Sequence, residues 1–230
     1  VSTPTSSVNL HDARITYDRA SLAESDLTED PLTCFHSWFQ ELTDAGLEEP
    51  NAMVLATADA SGVVSSRTVL LKEANEHGFV FFTNLNSLKS QQLVSNPRAS
   101  CTFPWYLMHR QVNIIGDVHL LSRADVEGYF HSRPRASQLG AWASEQSSVI
   151  ASRAVVEGRF DDLVKQYGLT EADGTIPVPP HWGCWLIAPH SIEFWQGRPS
   201  RLHDRLRFTA TSAQARTNDR GDWELQRLAP

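Results

Sequence analysis

Ala52-Met-Val-Leu-Ala-Thr-Ala58, Asp59-Ala-Ser-Gly62 and Val63-Val-Ser-Ser-Arg67-Thr-Val-Leu-Leu-Lys72 read in succession as strand, turn and strand. The two outer runs are apolar or alternating, and the Asp-to-Gly stretch between them carries turn chemistry. Working outward, His77-Gly78 leads into a third strand over 79–83, and a short helix is expected over 87–95 before the Asn96-Pro97 turn. Further strands are expected over 99–105 and 111–121. A meander of this kind removes its open edges by curling into an antiparallel barrel. Upstream, Asp30 can cap a helix whose first turn holds Pro31, with Leu32, Phe35, Trp38, Phe39 and Leu42 at helical spacing and Gly46 as its stop. Downstream, Ser122-x-x-Asp125 resembles a capping box, Pro134 interrupts the helix it opens, and another helix is expected over 152–167. A proline-rich loop over 171–181 precedes strands expected near 182–188, 191–195, 205–210 and 223–228. The expected fold is mainly β with flanking helices (α+β), a closed or nearly closed barrel.

The chain has 230 residues and a net charge of −7, which argues against a nucleic-acid binder that relies on overall electrostatics. No apolar run approaches the ~20 residues of a membrane helix, and the Ser/Thr-rich start lacks the build of a signal peptide, so a cytoplasmic protein with no membrane partner is expected. Residues 1–12 read as a flexible tail and 13–230 as a single domain. Cys34, Cys101 and Cys184 are odd in number and widely spaced, so no disulfide framework is expected. His181-x-x-Cys184 and Cys34-x-His36 lack matching second halves, and no metal site is expected. There is no Gly-x-Gly-x-x-Gly, no Gly-Lys-Ser/Thr phosphate loop and no Gly-x-Ser-x-Gly elbow.

Several segments call for an anion. If Arg201-Leu-His-Asp-Arg205 is extended, Arg201, His203 and Arg205 share one face, and three such groups repel unless something anionic sits opposite. Guanidinium forks match phosphate in geometry and charge; a solvated surface strand is the alternative. Arg67 and Lys72 point to opposite sides of their strand unless a bulge intervenes. Thr83-Asn-Leu-Asn-Ser87-Leu-Lys89 runs from a strand into a helix start, where backbone N–H groups, hydroxyls and a lysine form an anion site, or where Ser87 simply caps the helix. Tyr129, Arg133 and Ser137 recur every four residues as phosphate donors, their alignment disturbed by Pro134. Gln146-Ser-Ser148 adds neutral donors, Gln111 suits polar ring edges, and Trp195 suits the side of an aromatic cofactor or the core. Two sets of phosphate donors with aromatic and amide groups between them fit a phosphorylated planar cofactor beside a phosphorylated substrate.

These blocks resemble the pyridoxine/pyridoxamine 5′-phosphate oxidase family. The resemblance rests on Arg67-Thr-Val-Leu-Leu-Lys72, Phe82-Thr-Asn84, Phe103-Pro-Trp105, Arg110-Gln-Val112, Tyr129-Phe-His-Ser-Arg-Pro-Arg135, Gln138-Leu-Gly-Ala-Trp142 and Gln146-Ser-Ser148. It continues through Ile192-Glu-Phe-Trp-Gln-Gly197, Arg201-Leu-His-Asp-Arg205 and Arg227-Leu-Ala-Pro230, in order from about Arg14 to the end. The C-terminal blocks, within about 181–230, make it more specific than a likeness to flavin split barrels at large.

The resemblance implies an FMN-binding split β-barrel and a homodimer with FMN at the subunit interface. It implies oxidation of pyridoxine 5′-phosphate or pyridoxamine 5′-phosphate by dioxygen to pyridoxal 5′-phosphate. By the family's pattern Arg67 and Lys89 serve the FMN phosphate, with Thr68, Val69, Leu70, Lys72, Phe82, Thr83 and Gln111 around the cofactor and Gln146, Ser147, Trp195 and Arg205 completing its site. Lys72, Tyr129, Arg133 and Ser137 take the substrate phosphate. Arg201 and His203 lie over the substrate ring as the catalytic pair, and Arg14 with Tyr17 form a lid. Two positions depart from the pattern: Phe82 stands where the family often has Tyr, and Leu88 where it often has Arg, which implies weaker FMN retention. A phenazine-pathway type of FMN oxidase, or a carrier of flavin or pyridoxal phosphate, are the alternatives.

Overall fold

The computed structural model describes residues 16–18, 20–170, 172 and 174–230. The tail expected over 1–12 and the lid residue Arg14 lie outside the described residues. The described part forms α1 (Pro31–Asp44), β1 (Ala52–Ala58), β2 (Val64–Asn75), β3 (Gly78–Asn84), α2 (Leu88–Ser95), β4 (Arg98–Trp105) and β5 (Arg110–Leu120). These are followed by α3 (Arg123–Ser132), α4 (Arg135–Ala143), α5 (Arg153–Tyr167), β6 (Trp182–Gln196), β7 (Asp204–Ala210) and β8 (Trp223–Leu228). The antiparallel strands run in the order β3-β2-β1-β4-β5-β6-β7-β8, and a β3–β6 pairing closes the first six into a barrel. The fold is a split barrel with flanking helices.

Local chemistry explains the elements. Asp30 Oδ1 accepts the Thr33 amide at 2.9 Å and fixes the start of α1, with Pro31 in its first turn. The buried face of α1 enters the barrel core: Phe35 meets Phe79 and Phe103 edge-on, each at 5.1 Å, and Trp38 meets Phe194 at 5.0 Å. Burying a side chain such as Phe35 contributes ~1.5–3 kcal/mol. In the β1–β2 turn, Asp59 Oδ1 accepts the amides of Ser61 and Val63 at 2.8 and 3.0 Å, and Gly62 takes φ +86°. A second apolar layer, including Val126, Phe130, Leu139 and Trp182, packs α3 and α4 onto the outer face of β3 and β6. Cys34, Cys101 and Cys184 are free and buried, and burial pushes all three thiols above the ordinary range.

The sequence reading divided residues 182–195 into two strands, and the structure joins them into the single β6. Its first half pairs with β3 and β5, its second half with β5 and β7. At the changeover Ile115 faces Ser191 and Gly116 faces Pro189, leaving His190 without an opposite number. This bulge accommodates the missing N–H of Pro189 without ending the strand. A Cβ at Gly116 would stand 2.2 Å from the Ala188 carbonyl oxygen, so the close approach requires glycine.

Candidate active site

A cleft of about 1010 Å³ opens between β2, β3, the N-terminus of α2, the α3–α4 junction and the 144–147 loop. Arg67, Lys72, Lys89 and Arg133 line it, and no Asp or Glu does. Among the described residues none of the four forms an ion pair with a carboxylate. Such an arrangement is a demand for anions.

The first cationic group is Arg67 with Lys89. Arg67 Nη1 donates to Thr57 Oγ1 at 2.6 Å and Nη2 to Ser65 Oγ at 2.5 Å; both hydroxyls in turn donate to Gln92 Oε1 on α2. This network aims the guanidinium without neutralising it, and burial lowers its pKa. Lys89 is 7% exposed, and its Nζ donates to Gln146 Oε1, Thr83 Oγ1 and Ser87 Oγ at 2.5, 2.9 and 3.2 Å. Burial, then the charge of Arg67, pushes the ammonium from its ordinary 10.5 down to about 8. Ser87 stands at the N-cap of α2 without a side-chain capping bond, its hydroxyl taken by Lys89. Instead Ser147, at φ +74°, accepts the Leu88 amide with its Oγ at 3.1 Å. Leu88 itself is exposed at the cleft.

The second group is Lys72 with Arg133. Register slips between Leu71 and Glu73, so Lys72 has no partner on β3, and this bulge lets Arg67 and Lys72 line the same cleft. Lys72 Nζ lies 5.7 Å from the Tyr129 ring centroid, and the Arg133 guanidinium 4.8 Å from that of Trp182. Arg133 Nη1 is buried with no hydrogen-bond partner, and desolvation lowers the group's pKa. Pro134 ends the helical run: α3 stops at Ser132 and α4 starts at Arg135, yet Tyr129, Arg133 and Ser137 all still reach the cleft. Phe82, Tyr129 and Trp182 form one aromatic wall, with Phe82 4.2 Å from Tyr129 and 5.2 Å from Trp182. Trp182, Ser65 and Gln92 were not singled out from sequence. Trp182 and Gln92 act through partners distant in the chain, and Ser65, although it accepts from Arg67 two residues on, is tied to the site by its bond to Gln92.

Thr68, Val69, Leu70, Phe82, Thr83, Gln146 and Ser147 complete the expected residues found here. Gln111, Trp195, Arg201, His203 and Arg205 do not line this cleft within one chain. They gather at the far end of β6, where Gln111 pairs with Trp195 and Trp195 with Arg205. The conditional expectation of one extended face is corrected: Pro199–Arg201 forms a 3-10 turn with Ser200 and Arg201 at φ +57° and +62°, and β7 begins only at Asp204. Arg201 therefore leaves the strand face that carries Arg205. The anion facing Arg205 is also internal, since its Nε and Nη2 bond Glu193 at 2.7 and 3.1 Å. Alternation along residues 191–196 puts Glu193 and Trp195 on one face, a signal the sequence reading did not use. His203 Nδ1 accepts the Arg198 amide at 3.1 Å, so the neutral ring carries its proton on Nε2; desolvation, then Arg201, lowers its pKa. Tyr17 lies against this cluster, 5.8 Å from His203 and 6.1 Å from Trp195.

A family model described as pyridoxamine 5′-phosphate oxidase matches residues 39–167, and one described as the pyridoxine 5′-phosphate oxidase C-terminal dimerisation region matches 182–230. A pyridoxine/pyridoxamine 5′-phosphate oxidase of Salinispora arenicola is 52% identical over 210 residues, 91% of this chain and 90% of the relative. One of Burkholderia mallei is 48% identical over 221 residues, 96% and 99% of the two chains. Among solved structures, PhzG of Burkholderia lata in complex with tetrahydrophenazine-1-carboxylic acid is similar at a TM-score of 0.79 and 26% identity, covering 91% of this chain and 98% of that one. An FMN-binding protein of Nostoc punctiforme, related to pyridoxamine 5′-phosphate oxidase, shares the fold at a TM-score of 0.67 and 16% identity over 92% and 100%.

Proposed function

The chain belongs to the pyridoxamine 5′-phosphate oxidase family, and from that premise we propose that it oxidises pyridoxine 5′-phosphate and pyridoxamine 5′-phosphate to pyridoxal 5′-phosphate with FMN and dioxygen. The observation that carries the reading is the carboxylate-free cleft with two cationic groups, Arg67/Lys89 and Lys72/Arg133, and an aromatic wall beside them. One group suits a cofactor phosphate and the other a substrate phosphate.

The residues present fit FMN. Lys89 is a desolvated ammonium surrounded by neutral acceptors, which an anionic phosphate would relieve. Arg67, Lys89 and the first turn of α2 hold the phosphate in this reading, with Val69, Leu70, Thr83, Gln146 and Ser147 along the rest of the cofactor. When bound, FMN supplies a two-electron acceptor for the hydride equivalent from the substrate 4′ carbon, the electrons passing on to dioxygen to give hydrogen peroxide.

The chain's own residues position and polarise. Lys72, Tyr129, Arg133 and Ser137 fix the substrate phosphate, and with it the distance of the 4′ carbon from the cofactor. Gln111, Trp195, Arg205, Arg201 and His203 come to the cleft from a second copy, because within one chain they stand apart from it. Arg201 clamps the substrate ring. His203, its Nδ1 engaged by a backbone amide, presents its Nε2 proton as a donor to a substrate oxygen. The amine substrate yields an imine that water converts to the aldehyde and ammonia.

The likeness to PhzG keeps a phenazine-type oxidase as the second reading. The Lys72/Arg133 group argues for a phosphorylated substrate instead. Protein loaded with FMN and given pyridoxine 5′-phosphate in air is expected to form aldehyde and peroxide one to one. Bound FMN without aldehyde refutes the oxidase reading and leaves a carrier or another flavin substrate. Arg133→Ala is expected to raise KM about 10–100-fold, the loss of one charged hydrogen bond, with the FMN Kd unchanged. An unchanged KM removes Arg133 from the substrate site.

A further inference from the structure

Asp204 lies inside the Arg201–Arg205 motif but turns away from the cleft chemistry, toward the N-terminal segment. Its Oδ2 accepts the Leu22 amide at 3.1 Å and lies 3.4 Å from Arg198 Nε, while Oδ1 accepts from Arg227 Nη1 at 2.9 Å. Arg227, on β8, carries the tie onward. Its Nε and Nη2 grip the Glu24 carboxylate at 2.8 and 2.9 Å, and Nη2 also donates to the Leu22 carbonyl at 3.1 Å. Arg198 Nη1 donates to the Ala20 carbonyl at 2.9 Å. Residues 20–23 form neither helix nor strand. Two arginines and one aspartate of the C-terminal region therefore supply the hydrogen bonds that regular structure would otherwise provide.

Just upstream, Tyr17 sits in a slot. Its ring centroid is 4.5 Å from that of His109 and within 6.1 Å of those of His203 and Trp195. A Cβ at Gly197 would lie 2.9 Å from Tyr17 Cγ and 3.1 Å from His109 Cβ, so the slot exists only because position 197 is glycine. His109 holds φ +52°, its carbonyl accepting from the Gly197 amide at 2.7 Å and Gln196 Nε2 at 3.2 Å. The slot belongs to the barrel, whereas its occupant belongs to an irregular segment held by the clasp and by Leu22, whose side chain is buried in the core.

We propose that Asp204 and Arg227 are positioning residues. Their clasp on residues 20–24 keeps Tyr17 seated against His203 and Trp195, so that the aromatic cluster meets the substrate already assembled. The idea rests on the reading of His203 as substrate-facing. Ordering a chain segment costs about 1–2 kcal/mol per residue, which three ring contacts do not cover; the burial of Leu22 offsets part of it and the charge-assisted bonds of the clasp add to that. Without the clasp, the seated state becomes a minor one, and apparent substrate affinity falls by the fraction seated. The chemical step, which starts from the seated state, is unaffected. KM therefore moves and kcat does not.

The test uses FMN-loaded Asp204→Asn and Arg227→Gln, with the surface change Glu24→Gln as the variant that leaves β7 and β8 intact. Chymotryptic cleavage after Tyr17 is expected to quicken at least tenfold in Asp204→Asn and Arg227→Gln, and less in Glu24→Gln. KM for pyridoxine 5′-phosphate is expected to rise about tenfold with kcat within twofold, and the rise to vanish in a Tyr17→Ala background. Cleavage at the wild-type rate overturns the clasp. Faster cleavage with unchanged KM, or a KM rise that persists without Tyr17, overturns its role in positioning. Wild-type protein that forms no aldehyde sinks the oxidase reading instead, and the cleavage rates then still decide whether the clasp seats Tyr17.

Discussion

Replacing Lys89 by Met separates what the cleft does for the ligand from what it does to the fold. Lys89 Nζ is buried among neutral acceptors with Arg67 as the nearest charge, and its pKa falls from 10.5 to about 8. The sign follows from proton counting. Between about pH 8 and 10.5 the unfolded chain holds a proton that the folded chain has lost, so stability rises with pH across that window. Below about pH 8 both states are protonated, and the folded state carries the full penalty. At 1.36 kcal/mol per pKa unit the penalty is about 3 kcal/mol. Lys89→Met removes this titration, and subtracting its unfolding curves from wild type cancels every other group that titrates nearby. Denaturant unfolding of the FMN-free proteins from pH 7 to 10.5 is therefore expected to show wild type gaining about 3 kcal/mol relative to the variant. In the proposed reading the same change also deletes a cation that faces the cofactor phosphate. FMN affinity, read by flavin fluorescence, is expected to fall ~10–100-fold at pH 7. It should also lack the decline above pH 8 expected of wild type as Lys89 deprotonates. Parallel stability curves for the two proteins would refute the buried-charge account, and wild-type FMN affinity in the variant would refute the phosphate assignment.

Two further outcomes test separate parts of the structure. Leu88→Arg adds a cation to the first turn of α2 at an exposed position lining the cleft; FMN should bind about tenfold tighter or more, and equal affinity by the same titration removes the idea that Leu88 weakens retention. Gly116→Ala places a methyl 2.2 Å from the Ala188 carbonyl at the β5–β6 bulge; a loss of about 2–3 kcal/mol in denaturant unfolding is expected, and an unchanged midpoint would mean the two strands part without strain.

Of the barrel strands, β1, β4 and β5 were legible because they are half-buried with a period of two, and β3 because it is a short, almost wholly buried apolar run. β4 and β5 alternate almost without fault, and the Asp59–Gly62 turn carries its own chemistry. β6 was divided in two because Pro189 reads locally as a break, whereas the bulge that tolerates it depends on Gly116, more than seventy residues earlier in the chain. The condition that Arg201–Arg205 be extended could not be tested from residue type, because nothing in it encodes two successive positive φ values, at Ser200 and Arg201, outside glycine. The cleft residues were recognisable one by one as phosphate donors. Their placement in space was not: Lys72 joins Arg67 only through a bulge, and Trp195, His203 and Arg205 stand apart from both only once β3–β6 pairing closes the barrel. Glu193 escaped notice for the same reason, since its claim on Arg205 is a matter of register between β6 and β7.

The distribution of paired charges argues for the site independently of any likeness. The chain has 27 acidic and 20 basic Lys and Arg residues, so carboxylates are in excess. Elsewhere arginines find them: Arg205 with Glu193, Arg227 with Glu24 and Asp204, Arg110 with Glu41, Arg216 with Glu76. Arg67, Lys72, Lys89 and Arg133 converge on one cleft that has none. Three of them, Arg67, Lys89 and Arg133, are desolvated there, and one guanidinium nitrogen of Arg133 has no partner. Stability alone would favour a carboxylate among them or an apolar replacement. A sequence that holds four cations together against their own repulsion is adapted to anions that arrive from outside the fold.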